Sequence, residues 1–444
     1  MTGANSEPAI LPSPLLRLEK AAEHMMLVVS ALTASAQKID PQHYTFEQFI
    51  TDFKRSYRPD SPEYALRQQI FEENLRGVRA HNAVVNQSWK LGINRFSDQT
   101  ANESAAFLGY NRMAEYGYDR KALKKHQGPD LAMMPDAGPL PNAVDWSARP
   151  GTPLHTWSNA PSLMTGQKEQ GSCGSCWALA VAANVESHTA LKTGSLPVLS
   201  SQQLLSCSPN PHHCGGKGGC DGSTPMLAYE YAQENGLVTE ESFTYTAIDC
   251  IDCDGANCDA CNRCSSIGAH AVVSLHAPIL TTSFHPTHPY PHKPCARASI
   301  MTPIPARQAH LQGWHQLKEN DHDDVIHALA TVGPLVVGVA AGAWFTYSGG
   351  VFGGCTDQSE LTVNHAVQLV GYGTDPEHGD YWKIRNWWGS DWGEDGYMRL
   401  RRSAPTCSVD SMPKEGFGCD NGPPSVTVCG ECGILYSASY PIIQ

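Results

Sequence analysis

Gln170-Gly171-Ser172-Cys173-Gly174-Ser175-Cys176-Trp177 is the stretch on which the reading of this 444-residue chain turns. Small residues lead into an apolar run, residues 176–191, with the character of a buried helix. Cys176 therefore stands at a predicted helix start, where unpaired backbone N–H groups and the helix dipole favour a thiolate over a thiol. A thiolate is a strong nucleophile at or below neutral pH. It needs an acid–base partner, a group to orient that partner, and donors for a developing oxyanion.

Each has a candidate. His365, in Asn364-His365-Ala366-Val367, directly precedes an apolar strand. Asn386 follows in Lys383-Ile384-Arg385-Asn386-Trp387-Trp388-Gly389, beside two tryptophans that can shield its hydrogen bond from water. Gln170 carries a side-chain amide that can donate to an oxyanion. Taken singly each is ordinary: a cysteine is more often a disulfide partner, and a histidine before a strand is more often a satisfied core or surface residue. The four in these local contexts form a nucleophilic constellation.

Composition sets the frame around it. The chain is 41% hydrophobic and 17% charged, which supports a sizeable core and excludes a disordered or collagen-like protein. Acidic residues number 44 against 31 basic ones, a formal net charge of -13. With no Lys/Arg block, neither nucleic acid nor an anionic membrane is an expected partner. No apolar run reaches the ~18 residues of a spanning helix, so no stable membrane anchor is expected. Sixteen cysteines point to an oxidising compartment and disulfides. Met25-Met26-Leu27-Val28-Val29-Ser30-Ala31-Leu32, followed by Ala34-Ser35-Ala36, reads as a cleaved secretory signal in a leader over 1–36. Glycosylation triplets at Asn86 and Asn102 fit that route.

Residues 44–110 read as helical. Ser61-Pro62-Glu63 is a helix start, with a Ser cap, Pro in the first position and an acid in the first turn. Glu63, Arg67, Phe71, Asn74, Val78 and Asn82 then fall on one stripe of a helix, although its polar members suit a core poorly. Gly92, Asn94, Phe96 and Asp98 follow in a short strand or turn. Residues 111–140 lose periodicity and read as a linker open to proteolysis. Beyond it, helices are expected near 176–191 and 224–236, then a helix at 325–330 and strands at 335–339, 366–370, 381–385 and 397–400. Helices first and strands second predict an α+β protein of two subdomains with a cleft between them.

The chain resembles a papain-family cysteine protease precursor of the cathepsin L-like group. The resemblance rests on the Gln170–Trp177 stretch, on His365, on Tyr381–Leu400 and on Leu140-Pro141-Asn142-Ala143-Val144-Asp145-Trp146. It rests also on the helix stripe and on Gly92, Asn94, Phe96 and Asp98, which resemble the two motifs of the family's inhibitory propeptide. It implies a papain-like fold: a helical subdomain, a β-barrel-like subdomain and a helical propeptide at 37–139 before a peptidase domain at 140–444. It implies an endopeptidase zymogen in which Cys176 attacks the scissile carbonyl and His365 pairs with it and protonates the leaving amine. Asn386 would orient the imidazole, Gln170 and the Cys176 N–H would form the oxyanion site, and Trp388 would cover the His–Asn bond. Gly222 would pair with an extended peptide beside Ser223. Thr224, Gly338, Ala366 and Ser437 would line the main specificity pocket, small and uncharged, suited to Leu, Phe or Val. The propeptide would block the cleft until acid loosens its ion pairs. The expected partners are protein and peptide substrates and the chain's own propeptide, with the enzyme a monomer in a lysosome, vacuole or the extracellular space. The expected disulfides are Cys173–Cys220, Cys207 with Cys250 or Cys253, and Cys355–Cys432, leaving Cys214, Cys407, Cys419 and Cys429 unassigned. No cofactor is implied.

The chain departs from that pattern in places. His365 and Asn386 follow Cys176 by 189 and 210 residues, against ~130–150 in the signature. The excess falls at 250–310, where Cys250, Cys253, Cys258, Cys261 and Cys264 favour disulfides over a zinc knuckle, and where a His/Pro-rich stretch contains the lone Cys295. His212-His213 reads as an exposed turn. Trp387 stands where the family usually has Ser. Two other classes fit the same residues: a catalytically silent binding or inhibitory protein, and a papain-fold acyltransferase.

Overall fold

Thr45 accepts a hydrogen bond from the Gln48 N–H while the Gln48 side chain bonds back to the Thr45 N–H, and this reciprocal cap starts α1 (Phe46–Asp52). Ser61 caps α2 (Pro62–Asn82), with Pro62 leading and Glu63 in the first turn. These elements come from a computed structural model that describes residues 39–109, 139–148, 162–249, 264, 308–355, 359–416 and 418–444. The leader, most of the linker, Cys295 and the cysteine-rich cluster apart from Cys264 lie outside the described residues. All elements below belong to the unit Asp40–Gln444.

The stripe on α2 has two jobs. Phe71 packs on Phe46 and Phe49, with ring centroids 5.5 and 4.8 Å apart, and Val78 is buried with it. The polar members clasp the chain that follows. Arg67 makes a two-pronged ion pair with Glu103, each N···O 2.5 Å, and donates to the Asp98 carbonyl at 3.0 Å. Glu63 lies 3.9 Å from Arg67. Asn74 donates to the Ser97 carbonyl, and Asn82 holds Leu91 through both its amide groups. Buried Asp98 accepts from Arg55 and Tyr57. The result is a helix fastened to β1 (Trp89–Leu91) and to α3 (Ala101–Ala105), with the expected short strand placed at 89–91, just ahead of Gly92.

After β2 (Val144–Asp145) the chain enters α4 (Cys176–Thr193), whose every residue from Cys176 to Ala190 is buried. Two shorter helices, α5 (Ser201–Cys207) and α6 (Pro225–Asn235), follow it. Gly236 ends α6 with φ 64, a left-handed angle that glycine adopts without strain. The second half holds β3 (Leu311–Gln316), α7 (His322–Thr331), β4 (Leu335–Val339), β5 (Tyr347–Phe352), β6 (His365–Asp375), β7 (Gly379–Arg385) and β8 (Tyr397–Arg401). A hairpin of β9 (Cys407–Asp410) and β10 (Val426–Cys429) precedes β11 (Ala438–Ile443). Among the described residues the main sheet runs β1-β5-β8-β7-β6-β4-β11-β3, with β2 on β6. It is mixed, because β5 and β8 pair parallel, and it stays open where a barrel-like form was expected. Gln368 of β6 donates to the Ala183 carbonyl, Asn184 and Ser187 of α4. That stitch locks helix to sheet and fixes the start of α4 relative to the start of β6.

The structure has disulfides Cys173–Cys220 and Cys355–Cys432. It joins Cys207 to Cys264, correcting the expected partner, Cys250 or Cys253. The reason is placement: Cys207 and Cys264 are buried in the same core with Cα atoms 5.6 Å apart, within bonding reach. Cys214–Cys419 and Cys407–Cys429 complete the described set. Among the described residues no helix is long and apolar enough to cross a membrane.

Arg67 holds the Glu103 carboxyl down to about 2, so the folded-state pKa lies below the ordinary 4.5. The pair stabilises the fold fully above that value and weakens only as pH falls from there toward 2. Glu103→Gln should therefore lower thermal stability by about 2 kcal/mol, equally at pH 7 and pH 5. The deficit should vanish only near pH 2, as read by unfolding scans across pH.

Candidate active site

Two element starts and one element end meet at one place. Cys176 is the first residue of α4, His365 the first of β6, and Asn386 follows the last residue of β7. The Ala366 backbone, next to His365, is among the groups that draw the Cys176 thiol down against its burial. His365 Nε2 lies 2.8 Å from Asn386 Oδ1. That oxygen accepts, so the imidazole carries its proton on Nε2 and leaves Nδ1 bare. Among the described residues Nδ1 has no hydrogen-bond partner. Asn386 Oδ1 also accepts from the Trp387 N–H at 2.8 Å, and Gln167 donates to the Asn386 carbonyl. Trp387 uses the place of the usual Ser to donate from its indole to the Ala366 carbonyl at 2.8 Å. The Trp388 ring stands 5.1 Å from the His365 ring and covers it.

Gln170 is fully buried, tied by its backbone to the Trp387 carbonyl. Its Nε2 donates to the Cys173 carbonyl at 2.8 Å and to the Phe107 carbonyl at 3.0 Å. Phe107 belongs to the N-terminal segment, which fills the groove. Phe96 packs on Trp388 and Phe345, which is itself stacked on Trp388. Asn94 donates to the Phe345 carbonyl, Gly92 to that of Thr346, and β1 adds antiparallel to β5. Two residues past Phe107, Gly109 adopts φ 62. A Cβ there would stand 2.9 Å from the Cys176 sulfur, and a Cβ on Gly174 would stand 2.7 Å from the Gly109 Cα. A Cβ on Gly222 would collide with the Gly109 carbonyl oxygen. Only glycine on both sides lets the segment lie flat over the sulfur.

That cover decides the protonation state. Burial pushes the Cys176 thiol up to about 11 and His365 down to about 4. Desolvation outweighs the helix dipole, which alone would favour a thiolate. In the covered state the pair is a neutral thiol and a neutral imidazole.

The other expected residues lie nearby in sequence and register. Gly338 faces Ala366 across β4 and β6, and the Gly338 N–H donates to the Ser437 carbonyl at 2.9 Å. Thr224 and Ser223 are buried where Gly222 leads into α6. Several contributors are not evident in sequence. Arg95, an unremarked position inside the Gly92–Asp98 motif, binds Glu169, the Trp388 carbonyl and Asp391. Glu103 partners Arg67, and Phe107 and Gly109 occupy the groove. His213, read as part of an exposed turn, is exposed and pairs with Asp420 at 2.8 Å. Cys355, Glu431 and Cys432 cluster, but the two sulfurs share a disulfide and offer no thiolate to a metal.

Residues 141–417 match the family described as papain family cysteine protease, and residues 46–104 match the cathepsin propeptide inhibitor domain. The chain is 30% identical to the probable cysteine protease RDL3 of Arabidopsis thaliana, over 83% of this chain and 80% of that protein. It is 27% identical to cathepsin L of Sarcophaga peregrina, over 94% and 99%. Among solved structures it is similar to digestive procathepsin L2 of the Tenebrio molitor larval midgut. There the TM-score is 0.61 at 26% identity, covering 89% of this chain and 98% of that one.

Gly109→Ala places a side chain at a left-handed angle, at roughly 1–2 kcal/mol, and against the sulfur. The segment should lift from Cys176 about tenfold more often. Iodoacetamide should label Cys176 of the uncleaved variant about tenfold faster than the native chain at pH 7.

Proposed function

This chain belongs to the papain family of cysteine proteases and is made as a zymogen, and on that premise we propose that Cys176, His365, Asn386 and Gln170 hydrolyse peptide bonds. Once the propeptide leaves, water reaches the cleft and the burial that holds both groups neutral is relieved. His365 Nδ1 takes the Cys176 proton, giving a thiolate and an imidazolium. The thiolate attacks the scissile carbonyl, and Gln170 Nε2 and the Cys176 N–H donate to the oxyanion. His365 returns its proton to the leaving amine, and water releases the acyl group from sulfur. Asn386 keeps the ring turned by holding Nε2–H.

The observation that carries this reading is that the groove already holds a peptide backbone. Gln170 donates to a propeptide carbonyl, and the residue two further on lies on the nucleophile. The neutral positions Thr224, Gly338, Ala366 and Ser437 favour Leu, Phe or Val in the main pocket. The disulfides fit a secretory route to a lysosome, a vacuole or the extracellular space.

Mild acid releases the propeptide at a site other than Arg67–Glu103, which stays ionised there. His81 packs on Trp89 of β1, ring centroids 4.9 Å apart, and burial lowers its pKa below the ordinary 6.5, with Lys90 adding to that shift. A neutral His81 therefore supports the docked strand above that pH, and the support fades as pH falls through it.

Acidified zymogen should cleave a fluorogenic peptide with Phe or Leu next to the Arg at the cut site. Cys176→Ala should abolish the activity, and Gln170→Ala should reduce kcat about 10²–10³-fold. Equal activity in Cys176→Ala would overturn the assignment. His81→Gln should flatten the dependence of the activation rate on pH between 6.5 and 5, measured as the rate of propeptide loss.

A further inference from the structure

The loop between β9 and β10 does more than close a hairpin. Its root lies on the His365 side of the cleft. The Leu361 N–H donates to the Val409 carbonyl at 3.0 Å, and the Val363 N–H donates to Asp410 at 3.1 Å. Val363 is two residues before His365. From there the loop reaches the opposite wall. Cys419 is bonded to Cys214, the Gly215 N–H donates to the Gly418 carbonyl at 2.9 Å, and the Asp420 N–H donates to the His212 carbonyl at 3.2 Å. His213 and Asp420 add an ion pair when the histidine is protonated.

Between these anchors the backbones are in close contact. A Cβ on Gly215 would stand 2.7 Å from the Ser223 carbonyl and 3.0 Å from that of Gly416. A Cβ on Gly416 would collide with the Val363 carbonyl oxygen. Gly416, Gly418, Cys419 and Asp420 are buried. The span thus touches Val363 on one wall and, on the other, Gly215, which is itself packed against the Ser223 carbonyl.

The propeptide marks the axis of the groove. It runs from Trp388 (Phe96), past Gln170 (Phe107), to Gly222 (Gly109). Gly222 is the residue expected to pair with an extended peptide, and on the catalytic reading above the acyl part of a substrate extends toward it. The loop meets the Gly222 wall at Gly215, whose backbone lies against both Gly222 and Ser223.

We propose that this disulfide-tethered loop is a strap across the acyl end of the cleft, making Cys214, Cys419 and Gly416 determinants of specificity. It walls off the groove beyond the main pocket. Selection then rests on the two residues before the cut, and residues further toward the substrate N-terminus add little. This rests on the catalytic reading above.

The test uses mature enzyme activated from the full zymogen. Blocked fluorogenic peptides carry Arg at the cut, Leu in the pocket, and zero, one or two further residues. Rates are divided by active sites titrated at Cys176 with a thiol-reactive probe. For the native enzyme kcat/KM should stay within twofold across the series. For Cys214→Ser/Cys419→Ser it should rise at least tenfold with the added residues. A tenfold rise in the native enzyme, or identical profiles in the two enzymes, would overturn the strap. Should the double variant give no titratable sulfur, the native profile alone decides. Cleavage of the shortest peptide, lost in Cys176→Ala, checks the catalytic reading separately.

Discussion

Water exclusion over Cys176 is the constraint on which the rest of the zymogen depends. A thiolate and an imidazolium separated in a dry site cost several kcal/mol to hold there. The covered pair therefore stays neutral, with the thiol raised and the imidazole lowered from their usual values. The groups proposed for catalysis already lie around it: the Asn386 bond, the Trp388 cover and the Gln170 amide. The segment over Cys176 both fills the groove and keeps the pair dry. The cover itself is small, since one glycine with a left-handed backbone lies against the sulfur.

So thin a cover must be held from elsewhere. The polar stripe of α2 does this through Arg67, Asn74 and Asn82, which bind the chain that leads to Gly109. Main-chain pairing of β1 with β5 adds fixed register, and Arg95 reaches Glu169 on one side and Asp391 on the other. Half-buried Arg67–Glu103 and buried Asp98 secure the fold of the inhibitor segment itself, while the exposed contacts of Arg95 secure its docking. The two tasks fall to different residues, so one can weaken while the other persists.

Local physics was legible in the sequence and long-range pairing was not. Ser61-Pro62-Glu63 marks the start of α2 because a cap, a fixed φ and a dipole partner act within one turn. The strand at 335–339 is continuous and apolar, and it appears with those bounds. The candidate site was readable because each of its members is embedded in a local pattern. Cys207 has several partners at similar sequence distances, and only the buried position of Cys264 selects one. Cys214 and Cys419 lie 205 residues apart, and no periodicity links them. The covering of Cys176 was not legible for a related reason: its own helix dipole is local, whereas the segment that lies on it is 67 residues upstream.

The docked strand leaves a debt behind. β1 ends the main sheet, and β5 lies next to it. When the propeptide departs, the N–H and C=O groups of β5 that faced β1 become an open edge, the kind of row on which foreign strands assemble. Its sequence, Tyr347-Ser348-Gly349-Gly350-Val351-Phe352, places two glycines at the pairing positions for Lys90 and Trp89. Glycine is a poor strand former and carries no side chain to support a neighbour. The edge is therefore serviceable for a strand delivered by the same chain at high effective concentration and weak for one arriving from solution. The same two glycines that let β1 lie close thus give the freed edge little side-chain support for any other strand.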